Sequence, residues 1–75
     1  MSSVAIIGDM DTVSGFRLGG VKKAEVVNTA EEAIAAFDKF LDEEVSIIII
    51  TQVLANEIRE HINRKICSDV LTMII

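Results

Sequence analysis

Apolar residues along this chain concentrate in four short strand-like segments separated by stretches of mixed character. Val4-Ala5-Ile6-Ile7 is the first run, unbroken as expected of a strand covered on both faces. Gly8 closes it and leads through polar residues into a short helix expected from about Asp11 or Thr12 to Leu18. Gly19-Gly20 ends that helix, since glycine readily takes the left-handed cap conformation. Ala24-Glu25-Val26-Val27 predicts a second, short strand.

Thr29-Ala30-Glu31-Glu32 then has the spacing of a capping box, in which hydroxyl and carboxylate each satisfy a backbone N–H. In the helix that follows, Ala30, Ala33, Ile34, Phe37 and Leu41 fall on one face, with Phe40 at its margin. Val45-Ser46-Ile47-Ile48-Ile49-Ile50-Thr51 predicts a third strand, central in the sheet because its β-branched run needs cover on both sides. A long helix is expected from about Gln52 to Cys67. Leu54, Ala55, Ile58, Ile62 and Ile66 form its apolar stripe, and Glu57, Glu60, Asn63 and Arg64 its solvated face. Val70-Leu71-Thr72-Met73-Ile74-Ile75 predicts a fourth strand. The order βαβαβαβ implies an α/β fold: a four-stranded parallel sheet in the order 2-1-3-4, helices on both faces, Rossmann-like or receiver-like in topology.

Length and composition narrow the class. At 75 residues with no proline and no Gly/Ser-rich linker, the chain is expected to form one domain. Its 51% hydrophobic content is too high for a disordered segment. The net charge of −5 argues against nucleic acid as a partner, which calls for clustered Lys and Arg. No uninterrupted apolar run approaches the ~20 residues that span a bilayer, so direct membrane insertion is not expected. Cys67 is the one cysteine, so no internal disulfide can form and a reducing cytoplasmic setting fits.

The turn after the first strand is where an open α/β sheet places functional groups. Asp9 and Asp11 stand there, and acidic residues at that position can hold Mg2+ in phosphoacceptor receiver domains. That chemistry also needs an aspartate at the end of the third strand, where this chain has Thr51. The two acids therefore suit a helix start, with a degenerate Mg2+-binding receiver-like domain as the alternative. Gly8-Asp9-Met10 departs from the dinucleotide fingerprint, and Val21 stands where a phosphate-binding loop needs lysine. A fragment of a nucleotide-binding enzyme is the remaining alternative. His61 and Cys67 have no partners at zinc-site spacing. His61 is expected on the charged helix face, exposed, and Cys67 as a semi-buried apolar residue. Ser14 and Ser46 lack a nucleophile elbow. No catalytic, cofactor-binding or metal-ligating residue is expected, and a docking role is favoured over an enzymatic one. Phe16, Arg17 and Leu18, on the short glycine-flanked helix, are the candidate partner-binding residues, because aromatics and Arg are enriched at binding hot spots.

Gly8-Asp9-x-Asp11-Thr12-Val13-x-Gly15-Phe16-Arg17-Leu18-x-Gly20, with the third- and fourth-strand patterns at matching places, resembles the F subunit of the archaeal A-type ATP synthase and the V-type ATPase. The resemblance spans the whole chain, and Gly15-Phe16-Arg17-Leu18 is its most specific part. It implies a non-catalytic central-stalk protein, without a cofactor, that binds the coiled-coil D subunit of the rotor. It further implies rotation inside the catalytic A/B head, coupling of ATP turnover to ion transport, and a cytoplasmic position peripheral to the membrane. Members of that family continue past the fourth strand into a flexible segment and a C-terminal helix. The expectation is that this chain, ending at Ile75, is a truncated N-terminal domain.

Overall fold

The computed structural model describes residues 3–65 and 69–75. Strand β1 (Val4–Gly8) is central, flanked by β2 (Lys23–Val26) on one side and by β3 (Ile47–Ile50) on the other. Beyond β3 lies β4 (Leu71–Ile74), which gives the order β2-β1-β3-β4, and every pairing is parallel. This is the sheet that the alternation of apolar runs and amphipathic stretches predicts.

The helices divide between the two faces as right-handed crossovers require. Helix α1 (Met10–Leu18) returns the chain from β1 to β2 on one side. Helices α2 (Ala30–Asp42), α3 (Gln52–Glu57) and α4 (Arg59–Lys65) lie on the other. Alternate residues of each strand feed the two layers. Ala5, Ile7, Ile48 and Ile50 pack beneath α2, α3 and α4 with Phe37, Phe40, Leu54, Ala55, Ile58 and Ile62. Ile6 and Ile49 point the other way, against Val13 of α1, with Phe16, Val21 and Ala24 around them.

Several boundaries differ from the sequence expectation. Helix α1 begins at Met10, a residue or two early, because Asp9 is its N-cap. Strand β3 is shorter than Val45–Thr51: Val45 is buried but lies before the ladder, and Thr51 is the N-cap position of α3. Val27 is buried just beyond the end of β2. Phe40 is fully buried instead of marginal. The long helix expected from Gln52 to Cys67 is broken at Ile58, whose backbone (φ −118°, ψ 22°) leaves the helical region. Leu54, Ala55, Ile58 and Ile62 are nonetheless buried as one stripe, so the break keeps the apolar face on the sheet. Ile66 and Cys67 lie outside the described residues.

Candidate functional site

The C-terminal end of β1 is closely packed around Gly8. A Cβ on Gly8 would sit 3.0 Å from Thr51 Cγ2 and 3.5 Å from two Thr12 side-chain atoms. The end of β3 and the start of α1 therefore close over Gly8, and no larger residue fits without displacing them. The Asp9 side chain accepts from the Thr12 backbone N–H at 3.2 Å and from the Thr12 hydroxyl at 2.7 Å, one bond to each carboxylate oxygen. These bonds, the hydroxyl's first, hold the Asp9 carboxyl below its ordinary value. The Asp9 carboxylate is thus a helix cap. Asp11 lies exposed in the first turn, where a negative charge suits the helix dipole.

Helix α1 presents two unlike sides. Val13 is buried and Phe16 half-buried, both against the small apolar cluster on this face of the sheet. Met10, Ser14, Arg17 and Leu18 are exposed, and Leu18 is turned farthest from Val13 and Phe16. Leu18 is 91% exposed and Met10 66%. The Arg17 guanidinium reaches back to the Ala24 carbonyl at 3.4 Å, which lays its apolar stem along the helix end. Of the three candidate docking residues, Arg17 and Leu18 face solvent and Phe16 serves mainly as packing. Gly20, at φ +106°, makes the turn that returns the chain toward β2, a conformation suited to glycine.

A second cluster escaped the sequence. His61 is not an exposed residue on the charged face. Its side chain is 15% exposed, and its Nε2 lies 2.7 Å from Asp38 Oδ1. The ring meets Phe37 edge-on, with centroids 6.1 Å apart at 77°. His61 stands three residues after Ile58 and one before Ile62, at the border of the apolar stripe. An i, i+3 relation to Ile58 was the signal available. The pair ties α4 to α2 and touches nothing in the α1 region.

On the outer edge of β2, Lys23 pairs with Glu43 at 2.6 Å and Lys39 with Glu25 at 2.7 Å. Lys39 also stands 5.6 Å from the centre of the Phe40 ring. These contacts fasten β2 to α2.

Comparison with known proteins places this arrangement in context. The family model described as ATP synthase (F/14-kDa) subunit matches residues 4–75. The chain is 45% identical over 74 residues to the A-type ATP synthase F subunit of Methanothermobacter thermautotrophicus, a match covering 99% of this chain and 70% of that protein. It is 38% identical over 64 residues to the V-type ATP synthase F subunit of Fusobacterium nucleatum, covering 85% of this chain and 60% of that one. Among solved structures, the V-type ATP synthase F subunit from Archaeoglobus fulgidus superposes with a TM-score of 0.74 at 25% identity, over 96% of each chain.

Proposed function

The chain belongs to the ATP synthase (F/14-kDa) subunit family, and from that membership we propose that it docks through the outward side of α1 onto the coiled-coil D subunit of the rotor. As a member of a rotary ATP synthase it is non-catalytic. Its contribution is to occupy the central stalk, turn with the rotor inside the A/B head, and help transmit ATP turnover to ion transport. The observation that carries the docking reading is Leu18, a large apolar side chain left 91% exposed beside Arg17 on a helix whose other side is packed. The e and g positions flanking a coiled-coil seam often carry Glu, which suits a guanidinium beside an exposed leucine, and Arg is enriched at binding hot spots.

A rigid docking module fits the rest of the structure. The helix is held at its start by the Asp9 cap and along its length by Val13 and Phe16, so little order has to be gained on binding. The degenerate receiver reading finds no support: the Asp9 carboxylate is engaged by Thr12, and Thr51 stands at the end of β3. Titrating the chain into the purified coiled-coil D subunit, followed by calorimetry, tests the reading. Saturable one-to-one binding is expected. Absence of binding at concentrations where both proteins remain folded would contradict it.

A further inference from the structure

Charge is spread unevenly over this acidic chain. Arg17, Lys22 and Lys23 fall within seven residues that contain no acid, whereas elsewhere twelve Asp and Glu stand against four Lys and Arg. Those seven residues are the end of α1 and the turn into β2, at the end of the sheet where Ser3 and Val4 enter β1. Lys23 is held within the chain by Glu43, at 2.6 Å. Arg17 rests on the Ala24 carbonyl, a neutral group that leaves its charge uncompensated. Lys22 is exposed and has no ionic partner among the described residues.

Apolar surface lies between these charges. Leu18 stands exposed directly after Arg17. Beyond it the segment 19–23, with Ser3 and Val4, lines an open concavity of about 590 Å3 that no acidic side chain borders. A second concavity, of about 320 Å3, runs along α1 from Asp11 past Gly15 and Phe16, and shares Gly19 and Val21 with the first. The proposed docking side of α1 thus continues over the turn as far as Lys22.

On the strength of the docking reading above, we infer that this turn is the electrostatic part of the same surface. Arg17 and Lys22 engage a stripe of Glu or Asp flanking the apolar seam of the D coiled coil, and steer that stripe onto α1. Apolar residues bracketed by cations are the complement of an apolar seam bracketed by acids. The acidic remainder of the chain repels the same stripe, which disfavours approach by any other face. A free phosphate is a poorer occupant, because the Gly19, Gly20 and Val21 N–H groups already donate to the Gly15, Arg17 and Phe16 carbonyls at 3.2, 3.0 and 3.0 Å. An anionic lipid surface is poorer too. Polybasic membrane sites gather about 4–8 Lys and Arg, and this turn offers Arg17, Lys22 and the already paired Lys23.

The test is the rate of association with the purified coiled-coil D subunit, followed by stopped flow from about 50 mM to about 500 mM NaCl, a range over which exposed charges become largely screened. Association should slow several-fold across that range, with dissociation changing less. Lys22→Glu should slow it several-fold at low salt, at an unchanged unfolding temperature, and its gap from the wild-type chain should close at high salt. Arg64→Glu makes the same change of net charge on α4, across the sheet from α1, and should leave the low-salt rate within about twofold of wild type. Binding at a rate that ignores salt would overturn the inference and leave docking through α1 standing. So would a wild-type rate for Lys22→Glu at low salt, or a loss in Arg64→Glu as large as that in Lys22→Glu. Absence of binding at every salt concentration, with both proteins folded, would remove the docking reading and this inference together.

Discussion

Asp9 accepts two hydrogen bonds from Thr12, and they fix both its role and its response to pH. Its carboxyl is held below the ordinary 3.8, chiefly by the Thr12 hydroxyl and then by the Thr12 backbone N–H. Glu43 is held below 4.5 in the same direction, chiefly by its hydrogen bond from Lys23. A carboxylate whose folded value is depressed contributes stability that is present above its unfolded value and is lost as pH falls through the folded one. Lys39 is raised above 10.5, first by its hydrogen bond to Glu25, so its contribution is present at neutral pH and lost only as pH rises through that higher value. Thermal unfolding should therefore be steady near neutrality and fall below about pH 4, and Asp9→Asn should lessen the acid-side dependence. An acid limb identical in Asp9→Asn and the wild-type chain would show that the cap plays no part in it. His61 shows where residue-level reading stops. Its contact with Asp38 joins positions 23 apart in sequence, and no local pattern reveals such a pairing.

Among the elements, the strands were the most legible, because runs such as Ile47–Ile50 admit few other conformations. The capping box at Thr29 was legible too. Thr29 Oγ1 accepts from the Glu32 N–H at 3.1 Å, though the Glu32 carboxylate accepts from Asn28, one residue before the cap. The break at Ile58 was not legible, because the apolar stripe continues through it at helical spacing. The helical wheel sets Phe40 at the margin of the apolar face of α2, yet the packed layer takes it into the core, 1% exposed. Phe40→Ala should accordingly cost about 3–5 kcal/mol, measured by denaturant unfolding. A loss below ~1 kcal/mol would mean that the site can collapse around the missing ring.

At the scale of the whole molecule, the sheet separates, among the described residues, a thick layer of three helices from a thin one carried by α1. The fold could be written down from the sequence because parallel order and crossover hand follow from the alternation of elements. The proposed docking surface could be narrowed only to Phe16-Arg17-Leu18, since three consecutive helical residues point in three directions and only the packed structure decides among them. Packing assigns Phe16 to the interior cluster and leaves Arg17 and Leu18 on the outside.

The most direct measurement is a parallel titration of the coiled-coil D subunit against Phe16→Ala, Arg17→Ala and Leu18→Ala, with thermal unfolding recorded for each. Docking through α1 predicts that Leu18→Ala weakens binding roughly tenfold, or ~1–2 kcal/mol, at an unchanged unfolding temperature. Arg17→Ala should weaken it in the same direction, and Phe16→Ala should lower the unfolding temperature first. Binding that stays at the wild-type value in both folded Arg17→Ala and folded Leu18→Ala would contradict docking through this helix.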